Sequence, residues 1–150
     1  MGAPVRLQMQ PLAAFERDGL RAALIKAGLP VDDLGEPHVQ CWRFETYNDV
    51  PVGFGALEIH GADALLRSVV TIPPVRRIGM GRAIVAALEA EAAMQKCRAL
   101  YLLTTSEAGF FRRLGYVECE RSKVPAAIRA TAQFSPLCPA DATAMVKRIG

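Results

Sequence analysis

Patterns that bind metals or form disulfides are scarce in this sequence. Its 150 residues include four cysteines and two histidines, and no two cysteines stand in a CxxC pair. Neither His38 nor His60 lies beside a cysteine in the sequence. A zinc site or a disulfide framework is therefore not expected. We predict reduced, packed thiols and no bound metal.

Long apolar runs and runs of like charge are also missing. No stretch reaches the length of a transmembrane helix, and residues 1–8 contain no apolar segment typical of a signal peptide. The 18 Lys and Arg residues nearly balance the 15 Asp and Glu residues, which leaves a net charge of +3. This excess is too small to suggest a nucleic-acid-binding surface. We expect a cytoplasmic protein with neither a nucleic-acid nor a membrane partner.

Internal repeats, low-complexity tracts and Pro/Gly/Ser linkers are absent from the chain as well. Hydrophobic residues make up 51% of the sequence, which is enough for a sizeable core. The length is usual for one globular unit. We therefore predict a single domain over residues 1–150.

The hydrophobic pattern predicts an α/β (α+β) fold. Alternation over residues 41–47 and 51–60 and the apolar residues 65–72 indicate three strands of an antiparallel meander. The nearly continuous apolar run 99–104 is typical of a strand buried on both faces. Helical spacing, short strand patterns and turn residues predict the remaining elements: helices at 11–27, 79–96, 107–114 and 124–134, and strands at 5–8, 116–120 and 144–149. The expected architecture is a mixed, mostly antiparallel sheet flanked by helices.

The segment from Val69 to Arg82 predicts a strand, a short loop and the start of a helix. Gly79 and Gly81 lie at that start and lack a Cβ, so a ligand can approach the backbone closely. The first turn of a helix has free N–H groups and a partial positive charge, which suits a pyrophosphate. Three arginines add positive charge nearby: Arg76, Arg77 and Arg82. The spacing alone is equally consistent with a tight turn and solvated arginines.

Two further features make the functional interpretation of this segment more specific. Arg76-x-x-Gly79-x-Gly81 follows an apolar strand and a proline, and a second apolar strand at 100–105 follows the helix. Further on, residues 110–116 read Phe-Phe-Arg-Arg-Leu-Gly-Tyr. Together these motifs resemble the GCN5-related N-acetyltransferases (GNAT) over residues 5–120. The resemblance implies a splayed pair of strands in the central sheet, with acetyl-CoA as co-substrate.

The resemblance also implies which residues bind the cofactor. The backbone of the strand before the signature pairs with the pantetheine arm, and the signature binds the pyrophosphate. The implied residues are Val69, Val70, Thr71, Arg76, Arg77, Ile78, Gly79, Met80, Gly81, Arg82, Thr104 and Phe110. Arg77 stands where many relatives have glycine, although its backbone N–H remains a donor.

A narrower resemblance concerns the acceptor. Residues 65–68 and 124–131, followed by Leu137-Cys138-Pro139, resemble the arsenic-resistance N-acetyltransferase subfamily, which is related to the arsinothricin and phosphinothricin acetyltransferases. This implies acetylation of a small amino acid-like amine, such as an arsenic- or phosphorus-containing glutamate analogue. Arg67, with Ser68 beside it, and Arg129 are the candidate substrate-binding residues. The alternatives are a salt bridge between Arg67 and Glu58 or another acid, a solvated Arg129 and a structural Cys138.

The catalytic residues stay open because the chain departs from the family pattern. Phe110 and Phe111 stand where relatives often have a proton-donating tyrosine, and Leu66 stands where the phosphinothricin enzymes have glutamate. Glu58 is the first candidate base, with Glu45 or a water chain as alternatives. A solvated carboxylate on a strand face is the competing interpretation of Glu58. Tyr116 is a candidate proton donor, although such a tyrosine is usually part of the core, and Tyr101 has the same ambiguity.

Two functional hypotheses follow. The arginines suited to an anionic substrate favour an N-acetyltransferase that acts on a small-molecule amine. The missing tyrosine and glutamate favour a catalytically weak acetyl-CoA-binding sensor or partner module. The resemblance also leads us to expect a homodimer formed through the apolar C-terminal part.

Overall fold

The computed structural model describes residues 6–29, 31, 38–72, 79–131 and 142–149. The strands are β1 (Gln8–Leu12), β2 (Val39–Glu45), β3 (Pro51–His60), β4 (Asp63–Thr71), β5 (Ala99–Thr104), β6 (Val117–Glu118) and β7 (Thr143–Arg148). The helices are α1 (Asp18–Lys26), α2 (Met80–Met94), α3 (Ala108–Arg113) and α4 (Ala126–Arg129), with short 3₁₀ turns at Ala14–Glu16 and Arg121–Lys123.

The strands form one sheet of seven in the order β1-β2-β3-β4-β5-β7-β6. All neighbouring strands are antiparallel except β4 and β5, which are parallel. The parallel pair results from the crossover through α2, because parallel strands need a long connection. The predicted mixed, mostly antiparallel sheet with flanking helices is confirmed.

Successive side chains along the strands point to opposite faces of the sheet. The face covered by α2, here the α2 face, contains one large core cluster in which strand residues such as Leu57 and Leu66 pack with Ile84 and Leu88. On the opposite side, here the α1 face, α1 packs on β2–β4 through Leu20 and Leu24, and α4 packs beside it on Leu65. Which face a strand residue occupies therefore decides which helices it meets.

Two glycines allow α2 to lie close to the sheet. A Cβ on Gly55 would lie 2.5 Å from Cδ1 of Leu88. A Cβ on Gly53 would lie 2.3 Å from the carbonyl oxygen of Val70 in the neighbouring strand. Both positions are on the α2 face of β3, so no β3 side chain at these two positions separates the strand from the helix.

For the first 27 residues the predicted order of a strand and a helix is confirmed, and so is the helix end, but both predicted starts are wrong. The strand predicted at 5–8 is found at Gln8–Leu12, and the helix predicted from residue 11 begins at Asp18. Pro11 is tolerated within β1 because, among the described strands, β1 is at the edge of the sheet beside β2. Phe15, assigned to the apolar helix face, is 86% exposed.

The later boundaries differ less. The helices predicted at 79–96 and 107–114 are shorter by one to two residues at their ends. Of the helix predicted at 124–134, the described part is helical only over Ala126–Arg129. Thr104 supports the start of α3, since its Oγ1 accepts a hydrogen bond of 2.9 Å from the backbone N–H of Glu107. In the described ranges, no helix is long and apolar enough to cross a membrane.

Candidate active site

A gap opens between the two parallel strands in the middle of the sheet. β4 and β5 pair over only three positions, the last of which is Leu65 with Tyr101. Both strands continue beyond this point, to Thr71 and Thr104, without pairing with each other. The other edge of β5 stays paired with β7 along its whole length. The splay predicted from the resemblance is therefore present, and its apex lies at the last pair.

A β-bulge in β4 begins three residues beyond this apex. Ala56 of β3 pairs with Arg67, whereas Phe54 pairs with Val70, so Ser68 and Val69 together oppose a single residue. Ser68 has a φ of 60°, which is uncommon for a residue other than glycine. The bulge interrupts the regular β3–β4 ladder in the part of β4 that no longer pairs with β5.

The start of α2 lies after the end of β4. Gly79 precedes the helix with a φ of 98°, in the region that favours glycine. A Cβ on Gly81 would lie 3.2 Å from Cζ of Phe110, so α2 and α3 are in close contact here. Arg82 is exposed in the first turn, and Met80 packs against the core of the α2 face. The structure thus brings Phe110 to this helix start.

The loop that precedes this start lies outside the described residues. It contains three predicted phosphate-binding residues: Arg76, Arg77 and Ile78. Their roles stay predictions. Cys138, with its neighbours Leu137 and Pro139, is likewise outside the described residues.

Glu58 and Arg67 form a buried ion pair on the α1 face. Nη1 of Arg67 donates to Oε2 of Glu58 at 3.0 Å, and both side chains are 0% exposed. Glu58 is opposite Leu65 in the β3–β4 register, and Arg67 is two residues further along β4. The salt bridge suggested by the sequence is confirmed, and the interpretation of Glu58 as a solvated carboxylate is wrong. A buried carboxylate of this kind needs its partner, because an isolated buried charge is very unfavourable.

Two histidines, which the sequence analysis did not assign, approach the same carboxylate. Nε2 of His38 lies 3.2 Å from Oε1 of Glu58, and Nε2 of His60 lies 3.8 Å from the same oxygen. The His38 side chain is 51% exposed and that of His60 is 22% exposed. His60 was detectable in principle, since residues two apart in a strand share a face. His38 was not, because its position depends on the pairing of β2 with β3.

The other predicted substrate residues have structural partners. Oγ of Ser68 accepts a hydrogen bond of 3.3 Å from Nε of Arg67, so both belong to the group around Glu58. Arg129 is exposed at the end of α4, and its Nε donates to the carbonyl oxygen of Val124 at 2.9 Å. The Arg67 guanidinium is therefore already engaged by a carboxylate. Arg129 is bound to the backbone just before its own short helix.

Tyr116 lies on the opposite side of the sheet from Glu58. It is fully buried in the cluster of the α2 face and packs edge-on against Phe111. Its hydroxyl donates to Oε2 of Glu89 on α2 at 2.9 Å, and Lys147 approaches both Glu89 oxygens at 3.1 Å. Burial, and then the charge and hydrogen bond of Glu89, raise the pKa of Tyr116 far above its usual value. The phenol therefore stays protonated and bound to Glu89.

Replacement of Tyr116 by phenylalanine tests whether it is a proton donor. For the acetyl transfer that the resemblance implies, we expect the rate to change by less than about threefold, because the hydroxyl is bound to Glu89 within the core. The lost hydrogen bond is expected to reduce the free energy of unfolding by about 1 kcal/mol. Urea denaturation and steady-state kinetics measure the two effects. A large loss of kcat without a loss of stability would instead assign Tyr116 to the reaction.

The remaining alternatives occupy different places. Tyr101 belongs to the last β4–β5 pair and packs beside Leu65 on the α1 face, the face that also holds Glu58. Burial is the main cause that raises the pKa of Tyr101, with a further contribution from Asp63. Glu45 lies at the far end of β2 from Val39, the residue paired with Glu58. Six residues of strand separate them, a distance of about 20 Å. Of these two, Tyr101 is the one near the gap.

Comparison with known proteins agrees with this geometry. Residues 37–118, more than half of the chain, match the family model described as acetyltransferase (GNAT) domain. The protein YyaT of Bacillus subtilis (strain 168) is 35% identical over 88 residues, which are 57% of this chain and 59% of YyaT. The alignment therefore spans less than two thirds of that relative.

Two solved structures have the same fold. Rv2747 from Mycobacterium tuberculosis, in complex with CoA, has a TM-score of 0.73 at 20% identity, covering 95% of this chain and 99% of its own. N-acetylglutamate synthase from Neisseria gonorrhoeae, complexed with coenzyme A and N-acetyl-glutamate, has a TM-score of 0.76 at 14% identity, covering 99% of this chain and 36% of its own. The splayed strands, the glycine-containing helix start and the family match lead to one assignment: this chain belongs to the GNAT acetyltransferase domain family.

Proposed function

We propose that this chain transfers the acetyl group of acetyl-CoA to the amine of a small amino acid-like molecule. The gap between β4 and β5, which leads to the start of α2, is the main observation in support. An extended pantetheine arm has amides that can pair with the unpaired edge of β4, as an added strand does. Val69, Val70 and Thr71 on one side and Thr104 on the other would line the arm.

The direction of β4 supports this placement of the cofactor. The pyrophosphate would bind at Gly79–Arg82 with the loop before it, and Phe110 would lie beside it. From Thr71 back to Arg67 the strand runs four residues, about 13 Å. An arm that follows β4 from the helix start therefore brings the thioester towards the bulge at Ser68. There the interrupted ladder leaves backbone N–H groups for the developing oxyanion.

The reaction at this position is direct attack. The neutral amine forms a C–N bond with the thioester carbonyl carbon, and the C–S bond to CoA breaks. The acceptor ammonium must lose one proton before attack, and a second N–H proton leaves with the CoA thiolate as the thiol. Holding both reactants at the end of the gap supplies most of the rate enhancement, because the attack of one bound reactant on the other is effectively unimolecular.

The acceptor class rests on the resemblance and on the buried charges. Glutamate analogues that contain arsenic or phosphorus remain within the proposal, because residues 65–68 and 124–131 resemble the arsenic-resistance subfamily. Glu58 already neutralises Arg67, however, so the negative charge of such an acceptor needs another partner. We therefore give the small amine as the class and these analogues as its first members to test.

Release of CoA thiol from acetyl-CoA, measured with a panel of amines, tests the proposal. The panel contains amino acids, their phosphinic and arsenic analogues, simple alkylamines and a lysine peptide. We expect release with at least one small amino acid-like amine and none with the peptide. Tight acetyl-CoA binding without release of CoA thiol for any amine would overturn the proposed enzymatic activity and favour a sensor or partner module. Preference for the peptide would overturn the acceptor class.

Gly79 provides a test of the cofactor position. Gly79→Ala places a side chain at a φ of 98°, which we expect to cost about 1–2 kcal/mol and to weaken acetyl-CoA binding about tenfold. Gly61→Ala is the matched control, because Gly61 also has a positive φ, 69°, but lies in the β3–β4 turn. It should cost similar stability and leave the Kd unchanged. Calorimetry measures both the stability and the Kd for acetyl-CoA. Equal Kd values for the two variants would contradict the assignment of Gly79 to the cofactor site.

We also propose that the protein is cytoplasmic and that it forms a homodimer. Cys41, Cys97 and Cys119 are free thiols, which is consistent with the reducing cytoplasm. A homodimer through the C-terminal part follows from the resemblance. Sedimentation at micromolar concentration measures it directly.

A further inference from the structure

A cleft lies between α2 and α3 and is here called the α2–α3 cleft. Its volume is about 230 Å³, and it is open to solvent. Three aliphatic and four charged residues line it: Arg82, Val85, Ala86 and Glu89 of α2, Arg113 and Leu114 at the end of α3, and Lys147 of β7. Of these, only Arg82 has a place in the cofactor site proposed above.

The charges of the α2–α3 cleft favour an anionic ligand. Three of the lining side chains are cationic and one, Glu89, is acidic, which leaves a net charge of +2. Both oxygens of Glu89 lie 3.1 Å from Nζ of Lys147, and Oε2 also accepts a hydrogen bond from the Tyr116 hydroxyl. The protein itself therefore engages the carboxylate, whereas Arg82 and Arg113 are exposed to an incoming ligand.

The cleft begins where the pyrophosphate of the cofactor is proposed to bind. Arg82 is in the first turn of α2, and the four lining residues of α2 follow the spacing i, i+3, i+4 and i+7 of one helix face. From Arg82 to Glu89 this face runs seven residues, about 10 Å. The pantetheine arm would leave the helix start along β4, and the nucleotide extends from the other end of the pyrophosphate. A nucleotide that follows this face of α2 meets Arg113 and Lys147.

The size of the cleft favours one end of a ligand over a whole ligand. Pockets that bind a complete small molecule usually measure about 300–1,000 Å³, and this cleft is smaller. Its aliphatic residues, Val85, Ala86 and Leu114, can pack against a base or a ribose, and its cations can bind a phosphate. This combination fits a nucleotide whose other end is bound elsewhere.

We propose that the α2–α3 cleft binds the nucleotide end of CoA, and that Arg113 and Lys147 bind its 3′-phosphate. This inference rests on the proposed function and adds the residues that select CoA over dephospho-CoA, which lacks that phosphate. The planar guanidinium of Arg113 can donate to two phosphate oxygens. Lys147 has three N–H donors, and its contacts with the two oxygens of Glu89 leave one for the phosphate. Glu89 is a positioning residue, because it holds Lys147 at the wall of the cleft.

The Kd values of CoA and dephospho-CoA, measured by calorimetry, test the inference. We expect the wild type to bind CoA at least about tenfold more tightly, the effect of one charge-assisted hydrogen bond. Arg113→Gln should lose most of this preference through weaker CoA binding, with an unchanged Kd for dephospho-CoA. Lys147→Gln should act in the same direction, since its amide can still donate to Glu89 but carries no charge. Circular dichroism shows whether the variants are folded.

Arg112→Gln is the matched control. Arg112 precedes Arg113 on α3 and is also exposed, but it pairs with Glu118 and does not line the cleft. This variant should leave both Kd values unchanged. An equal loss of the preference in Arg112→Gln would overturn the inference, because net charge alone would then account for the effect.

The remaining outcomes separate the cleft from the enzymatic activity, since none of these measurements needs an acceptor amine. Equal Kd values for the two cofactors in the wild type would overturn the inference. A preference for CoA that is undiminished in both Arg113→Gln and Lys147→Gln would also overturn it. A wild type that prefers CoA through these residues but acetylates no amine of the panel would confirm the cleft and overturn the proposed activity alone.

Discussion

Glu58→Leu is expected to lower the free energy of unfolding by about 3–5 kcal/mol, the usual effect of removing one partner from a buried ion pair. The Arg67 side chain is 0% exposed, so in this variant its guanidinium stays in the interior without the carboxylate that balances its charge. Attraction between opposite charges is stronger in the protein interior than in water, and the unmatched charge is correspondingly costly. Urea denaturation followed by circular dichroism measures the change.

Two variants serve as controls for this prediction. Glu58→Leu combined with Arg67→Met removes both charges, and we expect it to recover most of the lost stability. Glu118 pairs with Arg112 at the surface, where both side chains are more than half exposed. Glu118→Leu should therefore cost less than about 1 kcal/mol. A Glu58→Leu variant as stable as Glu118→Leu would mean that the buried pair is hydrated or replaceable.

Gly53→Ala is expected to have the second largest effect. Its new Cβ would lie 2.3 Å from the carbonyl oxygen of Val70, a distance that only a shift of the β4 backbone can relieve. Overpacking of this kind typically costs about 1–3 kcal/mol. The displaced residues include Thr71, which pairs with Gly53 and lies on the edge of the gap. We therefore expect weaker acetyl-CoA binding in addition to lower stability.

Gly55→Ala is the matched control on the same strand and the same face. Its Cβ would meet Cδ1 of Leu88 at 2.5 Å, which is the end of a flexible side chain that can rotate away. We expect a smaller loss of stability and an unchanged Kd for acetyl-CoA. Thermal unfolding with and without acetyl-CoA compares the two variants. Equal effects of both substitutions would show that the backbone of β4 adjusts without cost.

The elements that surround the gap were predictable because their patterns are unambiguous. β3 and β5 were predicted with their observed bounds from alternation and from a continuous apolar run. The start of the first helix was misplaced because Pro11 and Leu12 fit a helix start as well as an edge strand. The apolar residues that follow them have helical spacing. Only the pairing with β2 decides between them, and pairing is not a local property of the sequence.

The candidate site was predictable only in part, for the same reason. A lone arginine in an apolar strand indicated a buried partner, and Glu58 was among the acids considered. The group of His38, His60 and Glu58 depends on the register in which Val39 faces Glu58. The bulge at Ser68 depends on one extra residue in β4 relative to β3, which no spacing in β4 alone reveals.

The short ladder between β4 and β5 has a consequence for the resistance of the protein to proteases. In the described part of the chain, three residue pairs join the backbone of β1–β4 to that of the β5-β7-β6 ladder. A cofactor bound in the gap, as proposed above, would act as the missing strand, and a ligand at roughly 100 times its Kd adds about 2.7 kcal/mol of stability. Opening of the sheet, and with it attack by proteases, then becomes rarer as acetyl-CoA becomes more abundant. Limited proteolysis should therefore be slower with saturating acetyl-CoA than without it.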